Sequence, residues 1–255
     1  MAKPKKARSR KDEEIEFLTT ALENNAIAGK IGKKKKTWST HDLKNVKPLT
    51  YGQEQLFEAY FSGSNILANG SAGTGKSFSA IYLALCDILR PESKQDTIII
   101  VRSAVQVKAI GFLPGALDEK LSPYEEPYRD IFSHLLQKKD AYDSMKETGQ
   151  VKFMATSFIR GLTWENAIII IDEMQSMTFH EICSVITRMG KNSKLIMCGD
   201  ISQNDLVYNR NEVSGFLEIV KILEKMKSVE IVNFTEEDIV RSGFVKEFII
   251  AKQSL

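Results

Sequence analysis

Gly70, Gly75, Lys76 and Ser77 stand at the spacing G-x-x-x-x-G-K-S, within the run Gly70-Ser71-Ala72-Gly73-Thr74-Gly75-Lys76-Ser77. That spacing carries a definite chemistry. Residues without Cβ atoms let successive backbone N–H groups turn inward around the β- and γ-phosphates of a nucleotide. Lys76 adds a point charge and the Ser77 hydroxyl a ligand for Mg²⁺. A helix that starts here adds its positive N-terminal end. The run therefore predicts a site for a nucleoside triphosphate with Mg²⁺.

Further chemistry-bearing residues each follow an apolar run. Asp172 comes directly after Ile168–Ile171, where an acid would stand near the metal ion. Glu173 beside it is placed to orient and deprotonate an attacking water. Taken alone, the two acids read equally well as solvated carboxylates opening a helix. The phosphate loop about a hundred residues upstream favours the catalytic reading. Gly199-Asp200 with Gln203 follows the next apolar run and suits a γ-phosphate sensor, an ordinary turn being the alternative. Arg241, after Glu236-Glu237-Asp238-Ile239-Val240, is a candidate arginine finger. Its place after the last strand predicts reach to an edge of the domain, and so to a neighbouring subunit's nucleotide.

These residues need a scaffold, and the apolar pattern supplies one. An amphipathic helix is expected from Leu49 to Phe61, then a strand at Ile66–Ala68. After the loop, Ile81, Leu85 and Ile88-Leu89 recur at helical spacing. Thr97–Arg102, Ala167–Ile171 and Lys194–Cys198 are the continuous apolar runs of strands covered on both faces. Val151–Ala155 and Val229–Phe234 read as further strands. Helices are expected over 124–140, 178–189 and 213–226 and after Asp238. Residues 103–115 read as loop and short helix, and 141–149 as a mobile polar stretch. Strands alternating with helices predict an α/β fold, a mostly parallel sheet flanked by helices in a P-loop NTPase core. Ligands of such sheets bind beyond the carboxyl ends of the strands.

A chain of 255 residues with 43% hydrophobic residues can build one large core. No apolar run approaches the roughly 20 residues of a membrane span. No apolar segment follows the N-terminal charges, so a signal peptide is not expected. Cys86, Cys183 and Cys198 lie far apart in apolar sequence, and His41, His134 and His180 are scattered. Buried free thiols in a cytoplasmic protein, without a zinc site, are the reading. Residues 1–50 carry thirteen Lys/Arg against six Asp/Glu, a balance of +7, which leaves −5 for the remainder. Basic charge is thus an appendage: residues 1–47 read as a partly disordered extension and 48–255 as the catalytic domain. Within the extension, residues 12–28 could form a short helix. Lys33, Lys34, Lys35 and Lys36 form a run that is either a solvated tail or a contact to nucleic acid.

From about Leu49 to Phe248 the chain resembles the PhoH-like family of ATPases, relatives of the superfamily 1 helicase core. The resemblance rests on Gly70–Ser77, Arg102-Ser103-Ala104-Val105, Gly111-Phe112-Leu113-Pro114-Gly115, Arg160-Gly161, Asp172-Glu173-Met174-Gln175, Gly199–Gln203 with Asp205, and Asp238–Arg241. It implies that Gln53 reads adenine, and that Asp172 and Glu173 serve Mg²⁺ and water. It further implies Gln203 as γ-phosphate sensor, with Arg102 and Arg160 in segments facing nucleic acid. Ser103 replaces the family's proline, and no acid stands between Lys108 and Gly111. The expectation is Mg²⁺-dependent ATP hydrolysis coupled to RNA or single-stranded nucleic acid. A single core lacks the second motor domain that closes a helicase cleft, so a homo-oligomer, such as a hexameric ring, is expected. A regulatory nucleotide-binding protein with little turnover is the alternative. A nucleotide kinase fits less well, because no Arg-rich lid accompanies Asp-Glu-x-Gln.

Overall fold

Ala167–Ile171 contains no polar side chain, and a strand of that kind is stable only where both of its faces are covered. The computed structural model, which describes residues 38–103, 117–201, 203 and 214–253, puts it in the middle of a six-stranded sheet. The strands are β1 (Asn65–Asn69), β2 (Thr97–Arg102), β3 (Val151–Ala155), β4 (Ala167–Ile171), β5 (Lys194–Gly199) and β6 (Val229–Asn233). Their order is β3-β2-β4-β5-β1-β6 and every pairing is parallel. This is the α/β P-loop architecture expected from the sequence. Lys33–Lys36, residues 12–28, Ala104-Val105, Gly111–Gly115 and Asp205 lie outside the described residues.

Alternation along the strands divides the core in two. Ile98, Ile100, Ile168, Ile170 and Ile196 point to one face, and Ile99, Ile169, Ile171, Leu195 and Met197 to the other. The first face is covered by α1 (Tyr51–Phe61), α2 (Lys76–Ile88), α3 (Leu117–Leu136) and α4 (Ala141–Glu147). The second is covered by α5 (Phe179–Ile186) and α6 (Phe216–Leu223), and α7 (Gly243–Gln253) closes the described chain. Each fully buried isoleucine contributes about 1.5–3 kcal/mol by leaving water. Trp38, Leu43 and Val46 also pack on the first face, ahead of Pro48.

Some boundaries moved. The helix expected over 124–140 runs from Leu117 to Leu136 and carries Pro123 and Pro127, each of which forgoes one i→i−4 hydrogen bond. The stretch 141–149, expected to be mobile, is instead largely helix α4, with Ala141, Tyr142 and Met145 buried. What orders it is long-range. Buried Glu125 on α3 accepts from the Tyr142 hydroxyl at 2.7 Å and from Lys146 Nζ at 2.8 Å. A buried carboxylate needs such partners, and they pin α4 to α3. All three cysteines are free, with Cys198 buried and Cys86 and Cys183 only half-buried. No helix among the described residues is long and apolar enough to cross a membrane.

Candidate nucleotide site

Strand β1 ends at Asn69 between Gly199 of β5 and Asn233 of β6, so three strand ends open at one level. Asn69 ties them together. Its Oδ1 accepts from Ile201 N at 3.1 Å, and its Nδ2 donates to Asn233 Oδ1 at 2.9 Å. Above it the loop Gly70–Ser77 turns back into α2. Gly73 and Gly75 hold φ of +84° and +83°, a conformation that L side chains rarely adopt. Added Cβ atoms would also meet Arg241 Cγ at 2.7 Å and Gln53 Nε2 at 2.9 Å respectively. Both glycines are required by backbone conformation.

The loop borders a cleft of about 990 Å³ that also takes in the ends of β2, β4 and β5 and the turn after β6. Ala72, Gly73, Gly75, Lys76 and Ser77 line it, while Ser71 and Thr74 are buried beneath. Lys76 Nζ donates to Gly70 O and Ser71 O, both at 2.6 Å, and to Thr74 Oγ1 at 3.3 Å. Burial pulls its pKa below the usual lysine value, opposed by Asp200, Glu173 and Asp172. At the end of the loop, Ser77 Oγ donates to Asp172 Oδ1 at 2.7 Å. The second oxygen, Oδ2, accepts from the buried Tyr128 hydroxyl at 2.7 Å.

Glu173 turns the chain out of the sheet in a left-handed conformation, φ 54° and ψ 48°. A non-glycine residue held there costs on the order of 1–3 kcal/mol, a strain that gathers at functional sites. Burial raises its pKa above the usual glutamate value, and the charge of Asp172 adds to this. Arg102, at the end of β2, pulls in the other direction and lines the same cleft. Gln175 Nε2 donates to Glu173 Oε2 at 2.5 Å, while its Oε1 accepts from Asp200 N at 3.1 Å. Gln203 Nε2 in turn donates to Asp200 Oδ2 at 2.8 Å. A chain of amides and carboxylates therefore links the ends of β4 and β5.

Gln53, buried in the first turn of α1, donates to Thr74 O at 3.0 Å and accepts from Leu49 N at 2.8 Å. Arg241 departs from expectation. Rather than reaching a distant edge, it stands against Gly73 of its own loop, because Val240 N donates to Gly73 O at 3.0 Å. The turn before it is fixed by Asp238, whose Oδ1 accepts from Gly52 N at 2.8 Å. Phe234 lies over Gly70 and closes the same seam. Arg160 is not brought to this cleft. It is exposed and lines a separate cavity with His180, Ser184 and Arg188.

Two contributors carried little signal in the sequence: Tyr128 and the segment 44–47 that walls one side of the cleft with Phe78 and His134. Gln175 and Asp238 stood within Asp172–Gln175 and Asp238–Arg241, two of the stretches that carry the family resemblance.

As an arrangement, the site offers a glycine-bent loop leading into a helix N-terminus, a half-buried ammonium, two hard oxygen donors side by side and a partly desolvated carboxylate. The family model described as PhoH-like protein matches residues 45–253. A PhoH-like protein of Mycobacterium tuberculosis is 32% identical over 210 residues, covering 82% of this chain and 58% of that protein. Protein PhoH of Escherichia coli strain K12 is 31% identical over 247 residues, covering 96% of this chain and 68% of that one. Among solved structures, the large terminase of a thermophilic bacteriophage in complex with ADP aligns with a TM-score of 0.45 at 14% identity, covering 79% of this chain and 49% of that one. The match to the family model takes in all six strands and the loops that meet at their carboxyl ends, and the chain belongs to the PhoH-like family.

Proposed function

We propose that this chain binds ATP with Mg²⁺ and hydrolyses it, and that hydrolysis is coupled to RNA or single-stranded nucleic acid. The observation that carries the reading is the meeting, in one cleft, of the phosphate loop, the Ser77–Asp172 pair and Glu173. The N–H groups of Gly73–Ser77 and the N-terminus of α2 bind the phosphates. Lys76 exchanges loop carbonyls for phosphate oxygens, which gives a half-buried ammonium a full charge partner. Ser77 and Asp172, hard oxygen donors 2.7 Å apart, fit Mg²⁺, the remaining ligands being phosphate oxygens and water. Bound there, the ion would supply charge neutralisation at the β- and γ-phosphates.

Glu173 takes the proton of the attacking water. Its raised pKa makes it a stronger base than an exposed glutamate, and Gln175 fixes one of its oxygens. Gln203, hydrogen-bonded to Asp200, reports the γ-phosphate to the end of β5. Arg241 stabilises charge on the transferring phosphoryl group from its own chain. Gln53, already holding Thr74 O, is the adenine reader.

Two regions support the nucleic-acid part. Arg160, Arg188 and His180 line the separate cavity on the α5 side of the sheet, and residues 1–50 carry the +7 balance. Exposed Leu49, Tyr51, Phe244 and Phe248, on elements bordering the cleft, support assembly with further copies, a hexameric ring being the proposed form. The test is ATP turnover with and without RNA and single-stranded DNA over a range of protein concentrations. Turnover that rises with nucleic acid supports the coupling. Binding of ATP without turnover under every condition would instead favour a regulatory nucleotide-binding protein.

A further inference from the structure

We infer that Tyr128 is a positioning residue for Asp172: its phenol sets the carboxylate plane that the metal ion meets. The inference rests on reading Ser77 and Asp172 as the Mg²⁺ pair. The last torsion of an aspartate joins an sp³ to an sp² carbon and has broad minima, so its orientation must come from partners. Among the described residues Asp172 has two, one on each oxygen, with Ser77 Oγ on Oδ1 and the Tyr128 hydroxyl on Oδ2, both at 2.7 Å. Ser77 is itself a proposed metal ligand, which leaves the phenol as the anchor outside the metal shell. Partners of this kind orient metal-binding carboxylates and tune their affinity.

The phenol is well aimed for that task. Tyr128 is 1% exposed, and its ring packs on Phe153 with centroids 5.8 Å apart. One turn earlier on α3, Glu125 is locked to Tyr142 and Lys146 of α4. The hydroxyl is therefore delivered from a rigid helix pair rather than from a loop. A neutral donor also suits the position, since it fixes the carboxylate without cancelling the charge that attracts the ion. An ordinary core tyrosine would make the same hydrogen bond, so the test must read the metal and not the fold.

That test uses the full chain, Mn²⁺ as probe and ADP as nucleotide. Mn²⁺ affinity in the presence of ADP is followed by electron paramagnetic resonance, and ADP affinity without metal by calorimetry. Tyr128→Phe is expected to weaken Mn²⁺ binding roughly tenfold. Metal-free ADP affinity should stay within about twofold, and in an Asp172→Asn background Tyr128→Phe should cost nothing further. Should the missing oxygen unfold the chain, 4-fluorophenylalanine at position 128 fills the same space without a donor and gives the same reading. Unchanged Mn²⁺ affinity overturns the inference, and so does a parallel loss of metal-free ADP binding, which marks a structural role alone. A parent protein that binds Mn²⁺ no better with ADP than without it would remove the metal pair itself, and this inference with it.

Discussion

Asp238→Asn exchanges one carboxylate oxygen for an amide at the seam where the turn after β6 meets α1. In the parent both oxygens accept backbone N–H groups, Oδ1 from Gly52 at 2.8 Å and Oδ2 from Thr235 at 2.7 Å. Oδ2 also lies 3.2 Å from Thr235 Oγ1. An asparagine has one oxygen for two backbone donors, so whichever way it turns, its NH₂ faces another N–H. The loss is at least one hydrogen bond to a charged acceptor, with a donor left unpaired, or about 2–3 kcal/mol. For a domain of this size that is roughly 5–10 °C in Tm. The pH dependence has a definite sign. Burial alone would push this carboxyl up, but the N–H groups of Thr235 and Gly52 outweigh it and hold its pKa below the usual aspartate value. Its stabilisation is therefore complete above the unfolded pKa of about 3.9 and is lost as pH falls through the lower folded value. Thermal unfolding of parent and variant from pH 7 to pH 3 checks both parts. The gap should be full at pH 7 and close towards pH 3. A gap under about 0.5 kcal/mol at pH 7 would refute the hydrogen-bond reasoning.

Other expectations follow from the same geometry. Tyr142→Phe removes a donor from buried Glu125 and should lower unfolding stability by about 1–3 kcal/mol in a urea titration, while ATP affinity stays unchanged. Lys76→Ala should abolish detectable hydrolysis. Mixing it with Arg241→Ala chains should restore none, because Arg241 sits on its own loop; activity regained in mixed oligomers would return that arginine to a neighbour's site. A chain beginning at Trp38 keeps the buried indole but loses eleven Lys/Arg and five Asp/Glu. It should bind RNA more weakly and with a shallower salt dependence, and an unchanged slope would make the lysines a solvated tail.

The sheet was legible because β4 is apolar throughout and its neighbours β2 and β5 have continuous apolar centres, and the loop because glycine and lysine spacing is itself the chemistry. Asp172 and Glu173 were legible through their place at the end of such a strand. What was hidden depends on contacts between distant positions. Helix α4 reads as a polar stretch, since the partner that orders Tyr142 and Lys146 is Glu125 on another helix. Arg241 is turned towards Gly73 by Asp238 on Gly52, across 186 residues of sequence. Tyr128 looks like any core aromatic of an amphipathic helix, and only the packed structure brings its hydroxyl to Asp172. The layout of the proposed site is carried by local motifs, whereas the orientation of its parts is carried by tertiary hydrogen bonds.

The claim that this cleft hydrolyses ATP through Glu173 is tested most directly by comparing parent and Glu173→Gln, with ATP affinity and steady-state turnover measured on the same preparations. Glutamine keeps the size and the hydrogen bond to Gln175 but cannot take a proton from water. The variant should bind Mg·ATP within about threefold of the parent while turnover falls by roughly 10²–10⁴. A variant that hydrolyses ATP at the parent rate would contradict the account.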